Sequence, residues 1–324
     1  MIYLDLLLGF LRVGCFAFGG AYGAIPLIRD VVLSYGWLTD EQLSYMIAVS
    51  ESTPGPIMVN MATYIGSSQA GLTGALIATF FVVLPILLIV YYSFVDKSGN
   101  FTLDNFITVF SDKTNWIVIG RSILIAFLNT LFCILIGYPI AYFLANKKFN
   151  RNKILVYVFI IPMWINFVIR TIATKEMLDW FKINSANAPL LATMIGMLYN
   201  YLPFAILPLY TTMLKLDQNQ IEASMDLGAN PARTFIKIII PMSMPGIVSA
   251  ATMTFMPTMS SYVIADKLGG GKTTLIGNLI SFYFDQANYY IGSVLAIVML
   301  VMIGITLVAT KNQVKDGNAR GGLW

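Results

Sequence analysis

Residues 122–145 read SILIAFLNTLFCILIGYPIAYFLA and hold no charged side chain. A run that long and that apolar can cross a hydrocarbon core of about 30 Å as one helix. It decides the fold class, because the rest of the chain keeps repeating it. Of the 324 residues, 57% are hydrophobic and 11% charged, with a mean hydropathy of +0.75. Soluble domains carry about 25% charged residues. The sequence therefore reads as an all-α, polytopic membrane protein. From residue 74 onward six spans are expected, near 74–94, 117–144, 154–174, 188–214, 242–263 and 288–310.

Composition removes several kinds of chemistry. The chain has no histidine, which excludes His-based triads, His proton relays and His metal sites. Its two cysteines, Cys15 and Cys133, sit in apolar runs and read as small buried hydrophobes. A net charge of +4 is too small for a nucleic-acid surface. The opening MIYLDLLLGFLRVG lacks the basic start and small-residue cleavage site of a signal peptide.

Lysine and arginine set the expected orientation. Residues 145–153 hold Lys147, Lys148, Arg151 and Lys153 without an acid. Residues 215–241 hold Lys215, Arg233 and Lys237, and the tail holds Lys311, Lys315 and Arg320. These three segments share one side, read as cytoplasmic. The loops 95–116, 175–187 and 264–287 balance their lysines with acids and fall on the other side.

Residues 1–73 follow a different rule. GCFAFGGAYGAIP (14–26) and ESTPGPIMVNMATYIG (51–66) are broken by glycine and proline. Interrupted apolar stretches read as broken or re-entrant helices, tolerated at membrane depth only inside protein or along a cavity. Pro54 and Pro56 would free backbone groups and Gly55 would let the chain turn. The result is either an oxyanion-holding helix end, with Arg12 and Arg29 adding charge, or a tight hairpin of packed helices.

One polar segment interrupts the apolar pattern: IEASMDLGANPARTF, residues 221–235. A helix is expected at 218–227, with Gly228 at its left-handed C-terminal position. Pro231 suits the first turn of a second helix, which meets the membrane at Pro241. So short a helix is marginal alone and needs a docking partner.

The spacing Glu222-Ala223-Ser224, three residues, Gly228, nine residues, Ile238-Ile239-Ile240-Pro241 resembles the EAA motif of ABC-importer permeases. Ser224 stands where the family has a third alanine, and Ile240 where it has leucine. YYSFVDKSGNFTLDNF (91–106), NFVIRTIAT (166–174), LGGGKTTLIGNLI (268–280) and the 122–145 run resemble the spermidine/putrescine permeases, over about residues 82–324. The resemblance implies a six-span permease core with a coupling loop at 215–241. Glu222, Ala223, Ser224, Asp226, Leu227, Gly228 and Ala229 would enter a groove on a separate cytoplasmic ATPase, the two acids meeting basic groups there. It also implies a second permease subunit, an extracytoplasmic substrate-binding protein and an inner-membrane location. On this resemblance no cofactor is expected on this chain, with ATP at the partner subunit. The resemblance thus implies a transporter subunit rather than an enzyme. Polyamines are long cations, which suit acids and aromatics. The spans offer almost no acid, so Trp164, Asn166, Tyr199, Asn200 and Tyr201 are the substrate-path candidates. Arg170 would repel a cation; it reads as a structural group near the outer end of its span, with Glu176 the candidate partner.

LGGGKTT invites a P-loop reading. That motif needs a glycine five residues before Gly271, and the position holds Asp266.

FAFGG (16–20), Ile25-Pro26, WLT (37–39) and STPGPIMVNMATYIG (52–66) resemble the amino-terminal half of chromate transporters, over residues 1 to about 88. Pro54, Gly55, Pro56 and Asn60 carry that motif. The expected division is residues 1–81 as a chromate-type half module and 82–324 as the permease. The two resemblances meet within ATFFVVLPILLIVYYSF, residues 78–94, inside one apolar helix. This implies a fusion; long-read sequencing that put the modules in separate genes would sink that idea. Two further readings stay open: a chromate-type secondary anion transporter, and a non-functional hybrid.

Overall fold

The computed structural model describes residues 2–16, 20–52, 57–146, 155–165 and 167–320. Among them every regular element is a helix; the only extended pairing is an isolated bridge between Val95 and Phe101. The helices are α1 (Ile2–Phe16), α2 (Gly20–Ser34), α3 (Asp40–Ser52), α4 (Ile57–Ser93), α5 (Asp104–Ser111), α6 (Lys113–Ala145), α7 (Leu155–Trp164), α8 (Phe167–Trp180) and α9 (Pro189–Met213). There follow α10 (Gln218–Asp226), α11 (Pro231–Thr234), a π-helical turn (Phe235–Ile239), α12 (Ile240–Met242), α13 (Met244–Ser260), α14 (Val263–Gly269), α15 (Ile276–Asp285) and α16 (Tyr289–Arg320). The chain divides into two compact units. One comprises Met1–Phe106 with Tyr289–Val294, the other Ile107–Asn288 with Leu295–Trp324.

In the first unit, Leu6, Phe10 and Val13 repeat at helical spacing on α1 and are buried, so they form one face. They pack with Ile28, Val31 and Val32 of α2, Met61, Ala62 and Ile65 of α4, and Trp37. The Trp37 ring stacks on Phe10 and Tyr35, at 5.7 and 4.8 Å between centroids. Thr39 and Gln42 form a reciprocal capping box at the start of α3: Thr39 N donates to Gln42 Oε1 (3.0 Å) and Gln42 N to Thr39 Oγ1 (3.3 Å).

α4 is not one rod. Thr63 Oγ1 and Thr79 Oγ1 lie 2.7 Å apart, whereas that many residues of straight helix would separate them by about 24 Å. The chain reverses where Ala70 has φ −147° and ψ 28° and Gly71 has φ 60° and ψ −148°. The Gly71 region is open in practice to glycine alone. A Cβ on Gly66 would strike the Gly74 carbonyl, and a Cβ on Gly74 that of Gly66. Met58–Ser93 is long and apolar enough for one span by composition, but the threonine contact makes it a hairpin with arms 57–69 and 72–93. The first arm rises about 20 Å, too little to cross alone, and the second about 33 Å. Interrupted helices were expected in residues 1–73, and the expected 74–94 span is the second arm. Residues 81 and 82 lie within that arm.

The second unit is a bundle centred on α6, α9, α13 and α14. Ile125, Cys133 and Ala141 of α6, Met197, Ala205, Ile206 and Leu209 of α9, Ala250 of α13, and Ile264 and Leu268 of α14 are buried together. Cys133 is fully buried, as expected; the Cys15 side chain lies outside the described residues. Lipid is as apolar as leucine, so close packing and interhelical hydrogen bonds hold such bundles. Asn129 Nδ2 donates to Thr258 Oγ1 (2.9 Å), Tyr138 Oη meets Ser243 Oγ (2.7 Å), and Tyr201 Oη donates to the Pro257 carbonyl (3.1 Å).

α6, α9 and Tyr289–Thr310 of α16 are each long and apolar enough to cross. Two expected spans are bent instead. The 154–174 run is α7 and α8, bent by 105°; at the bend the Pro162 carbonyl accepts from Ile165 N (3.3 Å) and Arg170 Nη1 (2.9 Å). The 242–263 run is α13, set at 64° to Pro231–Met242, with Pro241 and Pro245 removing backbone donors on either side of Ser243.

Candidate functional site

The polar segment 215–241 is built from local signals. Asp217 caps α10, its carboxylate accepting from Asn219 N (3.0 Å). α10 ends in a Schellman motif: Gly228 N donates to Met225 O (2.9 Å) and Ala229 N to Ser224 O (3.1 Å). Gly228 has φ +84°, which a side chain would strain. Asn230 caps the next helix by accepting from Arg233 N (2.8 Å), and Pro231 occupies its first turn. The helix–turn–helix expected from Gly228 and Pro231 is present.

No residue of α10 is buried. Glu222, Ala223, Asp226 and Gly228 are exposed, Ser224 and Ala229 half-buried, and Leu227 is 89% exposed. A nine-residue helix with no buried face gains little from packing on its own chain. Its far end is anchored. Ser224 Oγ meets Thr234 Oγ1 (3.0 Å), and Thr234 is buried. Phe235 sits edge-on to Tyr138 and Tyr142 of α6, at 5.7 and 5.6 Å. The π-helical turn begins there; such turns often mark functional sites. The segment presents an open face on an anchored base. The Ser224–Thr234 brace escaped the sequence reading, in which Ser224 was only a departure from alanine.

The substrate-path candidates divide. Asn166 lies outside the described residues, as does the side chain of Trp164 at the end of α7. Tyr199, Asn200 and Tyr201 gather around Arg170, which is 6% exposed. Arg170 Nε donates to Asn200 Oδ1 (2.7 Å), Nη1 to the Pro162 carbonyl (2.9 Å) and Nη2 to the Asn200 carbonyl (3.4 Å). The guanidinium lies 5.8 Å from the Tyr199 ring centroid, in cation–π range. Asn200 is oriented by donating from Nδ2 to the Gly196 carbonyl (2.8 Å). The pairing with Glu176 is thus corrected, and so is the expected place near the outer end of the span: Arg170 is held by Asn200, beside the middle of α9. The reason is reach, because α9 packs against α8 and puts an amide oxygen beside the guanidinium. The signal was a charged residue inside one apolar run and an amide inside the next.

In the first unit, Pro54, Gly55 and Pro56 lie outside the described residues. Asn60 Nδ2 donates to the Ser50 carbonyl (3.3 Å). Arg29 pairs with Asp40 (2.7 Å) on the exposed surface. The LGGGKTT stretch follows helix α14 rather than a strand, its Gly270 and Gly271 at positive φ, and Lys272 Nζ donates to the Ala186 carbonyl (3.3 Å). It is a turn and not a phosphate cradle. No cluster of metal-ligating side chains occurs among the described residues.

Outside the membrane runs, the Asp96 carboxyl is held below the usual range, first by the backbone N–H of Asn100 and also by that of Ser98. Its oxygen accepts from both, at 2.9 and 2.8 Å.

The family model described as Chromate transporter matches residues 4–214. The chain is also 34% identical over 248 residues to the spermidine/putrescine transport system permease protein PotB of Escherichia coli K12, covering 70% of this chain and 90% of the relative. With the PotB protein of Haemophilus influenzae it shares 33% over 249 residues, 70% of this chain and 87% of the relative. With the inner membrane ABC transporter permease protein YdcU of E. coli K12 it shares 25% over 254 residues, 68% of this chain and 80% of the relative. The chromate match and the PotB matches together exceed the chain, so they overlap.

Proposed function

The chain belongs to the spermidine/putrescine permeases of ABC transporters and, through residues 4–214, to the chromate transporter family, and from that premise we propose that it is the membrane-spanning subunit of an ATP-driven polyamine importer. The observation that carries this reading is the segment 215–241: a capped helix with no buried residue, closed by a Gly228 turn and braced to the bundle through Ser224, Thr234 and Phe235. Its exposed Glu222, Met225, Asp226 and Leu227 suit a partner groove with apolar and basic walls. The partner is a separate ATPase, on the cytoplasmic face of the inner membrane. ATP bound there draws the ATPase halves together and α10 with them. The rigid base at Thr234 and Phe235 carries the movement into α6 and α13, giving alternating access. This chain binds no nucleotide or other cofactor itself. A second permease subunit completes the pathway, and an extracytoplasmic binding protein delivers spermidine or putrescine. Residues 82–324 form this importer core, and 1–81 a chromate-type module joined to it. Tyr199, with Trp164 and Asn166, remains a candidate for the substrate path. Asn200 and Tyr201 are buried, and their bonds to Arg170 and Pro257 support a scaffolding role.

The chromate match, which reaches residue 214, favours one other reading: a secondary anion transporter running without ATP. Uptake of labelled spermidine and of chromate into cells expressing the chain with its transport partners separates the two. Spermidine uptake that stops when ATP is depleted supports the importer. Chromate accumulation that persists without ATP, with no spermidine uptake, overturns it.

A further inference from the structure

Arg170 carries a charge that the described residues leave unneutralised. An arginine does not shed its proton in a protein, and its three acceptors are two backbone carbonyls and one amide. The ion pairs among the described residues are Arg29 with Asp40 and Lys267 with Asp266. A guanidinium has five N–H groups, so donor capacity remains. Beside it lies a cleft of about 180 Å³ lined by Arg170, Ala173, Thr174, Met177 and Tyr199, ample room for the end of an acidic side chain.

Depth identifies the occupant. Arg170 is fastened to Asn200, near the middle of the 25-residue α9, about 17 Å from one helix end and 20 Å from the other. That is the centre of a bilayer, where headgroup phosphates do not reach. Met177 and Tyr199, which line the cleft, are exposed on the protein surface, and with Ala173 they give it a largely apolar wall that disfavours a hydrated free anion. A second copy of this chain does not supply the charge either. Residues 117–144, 155–174, 188–213, 244–260 and 289–310 contain no aspartate or glutamate, and the acids of the first unit's helices, Asp5, Asp30, Asp40, Glu41 and Glu51, all stand within about one turn of a helix end.

We propose that the Arg170 cleft receives the carboxylate of an acidic side chain from a different membrane-spanning subunit, pairing with the guanidinium at mid-membrane. This rests on the importer reading, whose second permease subunit is that partner. The pair gives the two subunits a fixed register, since a buried charge without its counterpart is strongly disfavoured in lipid. It also cancels the one fixed charge among these groups that opposes a polyamine cation.

The test uses the full chain in phosphatidylcholine vesicles with two synthetic probes. Both are lysine-flanked Leu-Ala transmembrane peptides, one with a single Glu at its centre and one with Gln there. Association is read by energy transfer between labelled chain and labelled peptide. The Glu peptide binds the wild-type chain about tenfold more tightly than the Gln peptide. Arg170→Gln abolishes that preference, and Arg170→Lys retains part of it. The wild-type comparison decides the matter even where Arg170→Gln fails to fold. Equal binding of the two peptides overturns the proposal. So does loss of the Glu preference in excess sodium acetate or in phosphatidylglycerol vesicles, which would assign the cleft to a free anion or a lipid. Failure of the importer reading would appear separately, as ATP-independent transport with the peptide preference intact.

Discussion

Two glycine turns organise this protein in opposite ways. At Gly71 the chain folds back so closely that Gly66 and Gly74 touch and Thr63 bonds Thr79. At Gly228 the chain also turns through positive φ, yet α10 beside it buries nothing. The first turn closes a hairpin through its own backbone and side-chain contacts. The second holds a face open. Substitutions near Gly71 should therefore act on folding, and those on α10 on association.

That contrast breaks if the effects do not separate. The largest loss is expected for Gly66→Val, whose side chain has no room beside the Gly74 backbone. It should destabilise the first unit by about 3 kcal/mol, read from detergent-challenged unfolding of the purified chain. Gly71→Ala should cost about 1–3 kcal/mol by forcing a Cβ into a glycine-only conformation. On the open side, Ser224→Ala restores the alanine of the EAA pattern but removes the Thr234 contact. It should cost about 1 kcal/mol and leave partner binding in place, which sharpens the difference between base and face. Leu227→Asp should shift stability by no more than about 0.5 kcal/mol, because the side chain touches almost nothing. A large stability loss there would contradict an open face.

The loop that holds Asp96 offers a pH reading. Asp96 has a depressed pKa through the Asn100 and Ser98 amides. Its contribution is present above the unfolded value of 3.8 and fades as pH falls through the lower folded value. Amide exchange at Ser98 and Asn100 should therefore stay slow near neutrality and quicken, relative to its intrinsic rate, only in strong acid.

The coupling-type segment was legible almost residue by residue, because caps, a Schellman glycine and a first-turn proline are local signals. The apolar runs of α6, α9 and α16 were legible for the same reason. What escaped depends on contacts far apart in sequence. The reversal at Gly71 lies in the small, polar stretch GSSQAGLTG (66–74), whose sequence does not say that the flanking helices fold back until Thr63 meets Thr79. Arg170 finds Asn200 thirty residues away, while Glu176 is nearer in sequence and is not its partner. The bends at Pro162 and Ser243 are sequence-visible as prolines, but their angles are set by packing.

The central claim is that the open face of 215–241 docks on a separate ATPase. Its most direct test is to purify the tagged chain from its native membrane and measure ATPase activity that comes with it, for wild type and for Glu222→Arg. The account predicts activity with the wild type and at least about tenfold less with Glu222→Arg, the melting temperatures matching. Equal activity with both chains, or none with a wild type that still transports, would contradict it.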